Sequence, residues 1–187
     1  MCSIIGYYGK NLAAPILVKG LEKMEYRGYD SVGVATKSEN EIEVKKGVGK
    51  VIQVNDSIHL DELPGTTGIG HTRWATHGKV TDDNAHPHLS NSRKIAIVHN
   101  GIIENFQELK ENLISDGYNF QSDTDTEVIA NLIQKSFEQT SDIKQTIIDT
   151  VLENIEPNQH ILIMSNGGFN GLHQPLVDGL ADKYSGE

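Results

Sequence analysis

The order of apolar runs in this sequence predicts an α+β fold. Short apolar runs of strand length, bounded by turn residues, dominate its first half. Stretches with apolar residues at helical spacing lie between and after them. Strands come first and mixed elements follow, with no internal repeat, which favours α+β over a simple βαβ array. Residues 3–8 read as the first strand. Leu17, Leu21 and Met24 then mark one helix face behind Pro15, a residue tolerated in a first turn because its missing N–H would be unpaired there. Further strands are expected at 31–36, 42–46, 67–72 and 94–99. Phe106, Leu109 and Leu113 mark a second helix that ends near Gly117. Thr124-Asp-Thr-Glu127 reads as a capping box opening a third helix, with Ile129, Leu132, Ile133 and Phe137 as its apolar face. Ile143, Ile147, Val151 and Ile155 mark a fourth, and 160–164 is a last strand.

The length suits an ordinary domain with a real hydrophobic core. Among 187 residues, 26 acidic side chains oppose 16 basic ones, for a net charge of −10. No run of lysine and arginine offsets that charge, which argues against nucleic acid or an anionic membrane as partner. One cysteine excludes a disulfide framework and fits a reducing compartment. The opening MCSIIGYYGK has neither the basic region nor the apolar run of a signal peptide. No segment approaches the roughly 20 apolar residues of a membrane span. A soluble, cytoplasmic protein is the expectation.

That single cysteine, Cys2, stands directly behind Met1. Removal of Met1 would leave a thiol and a free α-amine on one residue. An α-amine has a pKa of about 8, so much of it is neutral near neutral pH and can serve as a built-in base. His71-Thr-Arg-Trp-Ala-Thr-His-Gly78 is too polar for a core helix and reads as a strand end followed by a recognition loop. Arg73 there could grip a carboxylate through two parallel hydrogen bonds, or serve an ion pair beside a packed Trp74. Asn84-Ala-His-Pro-His88 adds two histidines, but with no cysteine or His-Glu-x-x-His helix the metal signal is weak, and structural hydrogen bonding is the better reading. His99-Asn-Gly-Ile102 could be a hairpin turn, or an oxyanion hole that pairs the Asn100 amide with the unobstructed N–H of Gly101. Asp125 could complement a helix dipole or bind a substrate ammonium. Taken together, a thiol, an oxyanion hole, a carboxylate grip and an ammonium grip describe an amino acid with an acyl side chain, such as glutamine.

The chain resembles the class II, N-terminal-nucleophile glutamine amidotransferases. Within them it is most similar to the glutaminase domain of the glucosamine-6-phosphate synthases, the isomerising glutamine–fructose-6-phosphate aminotransferases. The matching stretches are Met1-Cys-x-Ile-Ile-Gly6, 21–31, 68–78, 84–88, 98–105 and 122–127, within about residues 1–135. The resemblance implies a four-layer αββα sandwich and hydrolysis of glutamine to glutamate and ammonia. It implies Cys2 as nucleophile, Asn100 and Gly101 as the oxyanion hole, and Arg27 close to that site. It further implies Arg73, Thr76 and His77 at the glutamine carboxylate end, Asp125 at its α-amine, and Trp74 in a loop that closes over the substrate. No metal or organic cofactor is implied. The implied partner is glutamine, and the ammonia is expected to pass to a sugar-isomerase domain; a separate such domain or a second copy of the chain are alternative protein partners.

Two departures stand out. Ser3 follows the nucleophile where the family has glycine, which would displace the thiol if the backbone there needed glycine's freedom. Past about residue 150 the family's strands do not follow. Instead 156–174 resembles the C-terminal end of the Mur ligases, a strand, a glycine-rich turn and a helix from near Leu172. The expectation is therefore a glutaminase domain over 1–138 with an incomplete second sheet, and a ligase-like segment over 139–187. Rival readings are a non-catalytic remnant and, for the tail, a nucleotide binder.

Overall fold

The computed structural model describes residues 2–39, 41–74, 79–154 and 171–185. The chain divides into two compact units, 1–134 and 135–187. The first is built on strands β1 (Ser3–Tyr8), β2 (Ser31–Lys37), β3 (Ile42–Val48) and β4 (Thr67–Arg73), which form one antiparallel sheet in the order β1-β4-β2-β3. β2 and β3 run slightly longer than their apolar runs because Ser31 pairs with Val48 and Lys37 with Ile42 at the two ends of the ladder.

Helices α1 (Ala13–Met24) and α2 (Val51–Ile58) cover one face of this sheet. Leu17, Leu21, Val32, Val34, Val51 and Leu60 form the centre of the core there, each with 1% exposure or less. Full burial of such side chains stabilises the fold by about 1.5–3 kcal/mol each. The opposite face of β2 meets the segment 84–88. A Cβ at Gly33 would stand 2.2 Å from the His86 carbonyl oxygen, so only glycine admits the segment this close. Lys46, on the neighbouring strand, fixes the same segment by donating to the carbonyls of Asp83 and Ala85 at 2.9 and 2.7 Å.

Among the described residues the second sheet has only two strands, β5 (His88–Leu89) and β6 (Ala96–Ile97). The strand expected at 94–99 thus shrinks to two residues. Its far end is diverted, because the His99 N–H donates to His86 Nδ1 at 3.3 Å instead of a ladder carbonyl.

Helix α3 (Phe106–Ser115) lies where its periodicity placed it. Helix α4 (Thr126–Thr140) departs from expectation at its start and on its face. Thr124 does not cap it. The Thr124 hydroxyl instead bonds His88 Nε2 at 3.0 Å and Ser122 Oγ at 2.9 Å. The Glu127 carboxylate turns back to accept the Gln121 and Ser122 N–H groups at 2.9 and 2.7 Å and the Ser122 hydroxyl at 2.7 Å. The buried face carries Glu127, Val128, Ala130, Asn131 and Gln134, whereas Phe137 of the expected apolar stripe is exposed. Polar side chains are buried because they are used: Asn131 Oδ1 and Gln134 Oε1 accept the N–H groups of Asn91 and Ser92 at 2.7 and 2.8 Å.

In the second unit, α5 (Ile143–Asn154) and α6 (His173–Tyr184) pack together, with Leu152 filling the space above Gly179 and Lys183 donating to the Leu152 carbonyl. The strand expected at 160–164 and the glycine-rich turn lie outside the described residues. Among the described residues no helix is long and apolar enough to cross a membrane.

Candidate active site

The register of β1 against β4 positions the thiol. Ser3 stands opposite Thr72, so Cys2 meets the end of β4, and its Sγ accepts the Trp74 N–H at 3.2 Å. Sγ also lies 3.6 Å from the Trp74 carbonyl oxygen. Ser3 is extended, within β1, so its backbone does not require glycine. Its hydroxyl is the strained element: Ser3 is 3% exposed and its Oγ has no hydrogen-bond partner. A buried polar group left unpaired costs about 1–3 kcal/mol. Ser3→Ala is therefore expected to raise the free energy of unfolding by about 1 kcal/mol, read from the urea midpoint at unchanged slope. A fall in the midpoint would show that the hydroxyl is satisfied in solution.

Cys2, Arg73, Trp74, Asn100, Gly101 and Asp125 line one cleft. Arg73 is 5% exposed, and its guanidinium donates to the Lys79 carbonyl at 3.3 Å. This bond ties the end of β4 to the segment that begins at Lys79. Asn84, 2% exposed, extends the tie by donating to the same carbonyl at 3.0 Å while its Oδ1 accepts the Asp123 N–H at 2.9 Å. Asp125 Oδ2 accepts the Ile103 N–H at 2.8 Å, which fixes the carboxylate against the loop that carries Asn100 and Gly101. Arg27 does not line the cleft. It sits on an exposed 3₁₀ turn, Glu25–Arg27. Thr76 and His77 lie outside the described residues.

His71, His86, His99, Thr124 and Thr126 also border the cleft, none of them expected there from residue type or spacing. His71, His86 and His88 stand in a row, with ring centroids 4.6 and 4.5 Å apart. Burial is the first cause that holds them neutral. It lowers His71 to about 4, with the Arg73 charge and His99 adding to the effect. It lowers His88 to about 3, aided by Lys46 and Arg73, and it pushes His86 lower still. Both ring nitrogens of His71 are buried without a partner. Among the described residues no three histidine, cysteine or carboxylate side chains converge in a metal-holding group.

Residues 55–147 match a family model described as a glutamine amidotransferase domain. Among solved structures, the glutamine phosphoribosylpyrophosphate amidotransferase from B. subtilis, complexed with ADP and GMP, superimposes with a TM-score of 0.64. It is 31% identical, over 79% of this chain and 32% of that one. A second, titled the allosteric regulatory enzyme of purine biosynthesis, gives 0.65 at 32% identity over the same shares. The chain thus carries a glutamine amidotransferase domain with the α+β sandwich of the N-terminal-nucleophile hydrolases. In sequence it matches the isomerizing glutamine–fructose-6-phosphate aminotransferases. It is 55% identical to that of Pyrococcus horikoshii over 144 residues, 77% of this chain and 24% of the relative. It is 50% identical to that of Aquifex aeolicus over 81% of this chain and 25% of the relative. The match with that of Clostridium perfringens is 44% over 191 residues, 98% of this chain and 30% of the relative. The chain therefore spans between about a quarter and 30% of the length of these relatives.

Proposed function

We propose that residues 1–138 hydrolyse glutamine to glutamate and ammonia, as the glutaminase half of a hexosamine-forming aminotransferase. The observation that carries this reading is the convergence of Cys2, Arg73, Asn100, Gly101 and Asp125, distant in sequence, on one cleft. With Met1 removed, the Cys2 amine takes the thiol proton and the thiolate attacks the side-chain amide carbon of glutamine. Asn100 and the Gly101 N–H receive the negative oxygen of the tetrahedral intermediate. Collapse breaks the C–N bond, the amine returns its proton to the leaving nitrogen, and ammonia departs from a γ-glutamyl thioester. Water activated by the same amine then adds to the thioester carbonyl, releasing glutamate and the thiol.

Arg73, with Thr76 and His77, would hold the α-carboxylate, Asp125 the α-ammonium, and Trp74 would close over the substrate. Arg27 would act from beside the cleft. The reaction as written draws on no metal or organic cofactor. The ammonia would pass to a sugar-isomerase domain acting on fructose 6-phosphate, with a second copy of the chain as a further partner. For 139–187, the ligase-like reading is supported by the residues of 156–174.

Intact-mass measurement of the soluble protein, before and after a glutamine-mimicking diazoketone, tests the assignment. The expected result is a mass lacking Met1 and a single adduct on Cys2 that glutamine prevents. A folded, Met1-free protein that takes no adduct would overturn it.

A further inference from the structure

The two halves of the cleft are joined through its own lining. Asp125, assigned to the ammonium end, opens α4. Asn100 and Gly101, assigned to the oxyanion, follow β6. Between them the Thr126 hydroxyl meets both neighbours, standing 3.2 Å from His99 Nδ1 and 3.4 Å from Asp125 Oδ1. The His99 ring in turn underlies Gly101, where an added Cβ would stand 2.6 Å from His99 Nε2. The backbone of His99 is anchored as well, its N–H donating to His86 Nδ1 at 3.3 Å.

Hydrogen-bond capacity fixes the direction of every proton in this chain. An ionised carboxylate only accepts, and Asp125 Oδ2 already takes the Ile103 N–H. The single hydroxyl proton of Thr126 therefore points to Asp125 Oδ1, and Thr126 must accept from His99. Neutral His99 is then the Nδ1–H tautomer, with the lone pair on Nε2 facing the underside of Gly101. By the same reasoning His86, whose Nδ1 accepts, carries its proton on Nε2.

We propose that His99 and Thr126 are a positioning pair that sets the Asn100–Gly101 loop and the Asp125 carboxylate against each other, so that one hydroxyl fixes the span between the oxyanion and ammonium sites. The proposal rests on the glutaminase reading for the identity of those sites. The physical tie between the loop and Asp125 stands apart from it. A span set in this way matters because a misplacement near 1 Å at the reacting groups can cost about 10²-fold in rate. Thr126 and His99 border the cleft, and their assigned part is to act through their neighbours.

The test compares Thr126→Val, which keeps the side-chain shape and removes the hydroxyl, with Thr126→Ser, which keeps the hydroxyl. NMR of the substrate-free protein reads the Gly101 amide and the His99 ring nitrogens, and steady-state kinetics reads glutamine hydrolysis. Thr126→Val is expected to shift the Gly101 amide resonance and speed its exchange by about tenfold or more. It should also lower kcat by about 10–100-fold and raise KM for glutamine, while Thr126→Ser stays near wild type in all four. An unmoved Gly101 amide in folded Thr126→Val would overturn the proposal. So would an Nε2–H tautomer of His99 in the wild-type protein, a measurement that needs no variant to fold. Absence of hydrolysis in the wild type would instead strike the glutaminase reading, and the NMR result would still decide the positioning pair.

Discussion

Cys2→Ser, in protein from which Met1 has been removed, is expected to lose about 10⁴-fold or more in kcat for glutamine hydrolysis, with KM changed little. The size follows from the step that disappears. A serine hydroxyl at this position keeps the geometry and the neighbouring amine, but its proton is far harder to remove than that of a thiol, and an alkoxide leaves the acyl intermediate less readily than a thiolate. Removal of a covalent nucleophile from a preorganised site typically leaves only the contribution of binding and of the oxyanion hole. The fold is insensitive to the change, because Sγ contributes only the weak contacts with the Trp74 backbone at 3.2 and 3.6 Å. A Cys2→Ser protein with wild-type melting and residual hydrolysis within tenfold of wild type would mean that the thiol is not the nucleophile. Substitutions at Asp125 and Arg73, proposed to hold the two ends of the substrate, are expected to separate from Cys2→Ser in such an assay by altering KM as well as kcat.

Acid should weaken the N-terminal unit well before its carboxylates titrate. His71 and His88 hold folded-state values of about 4 and about 3, below the unfolded value of 6.5. Between those limits the unfolded chain binds protons that the folded one refuses, so stability is complete above pH 6.5 and falls as pH drops towards 4. His71 alone, at 1% exposure, accounts for a loss on the order of 3 kcal/mol across that window. Ordinary carboxylates stay ionised above about pH 5, so the interval from 6.5 to 5 belongs to the histidines. Urea unfolding at half-unit steps through it reads the slope. His71→Leu is expected to reduce the slope by about a third, with His86 and His88 supplying the rest, and without loss at pH 7.5, since neither His71 ring nitrogen has a partner to lose. A wild-type stability that stays level from pH 7 to pH 5 would mean that the histidine row is hydrated and titrates freely.

Local pattern carried much of the N-terminal fold. β1, β2, β3 and β4 lie where their apolar runs placed them, and α3 where its period placed it. The misses share a cause, which is hydrogen bonding across large sequence separations. α2 has no capping side chain of its own: Lys50 precedes it, and the Val51 N–H is satisfied at 2.7 Å by Glu25 Oε1. No window around residues 51–58 contains that partner. The buried face of α4 is likewise chosen by backbone groups at Asn91 and Ser92, which favour Asn131 and Gln134 over the apolar stripe. In the site, Cys2, Arg73, Asn100, Gly101 and Asp125, singled out in the sequence by residue type and spacing, line one cleft. Thr126 and His99 gave no such signal, because their part is to hold others and only the folded geometry displays it. Arg27, also singled out by motif, stands on an exposed 3₁₀ turn and is not among the described residues that line the cleft.

Cys2 directly precedes β1, which among the described residues is an edge strand paired only with β4. During synthesis, therefore, Cys2 has nothing to dock against until Arg73 and Trp74 have left the ribosome. At about 5–20 residues per second, the stretch around Cys2 stays loose for several seconds after it emerges. The long-range pairing thus sets an order of events: the end of β4 has to be made before Cys2 can be held, so the thiol reaches its place late in the assembly of this sheet.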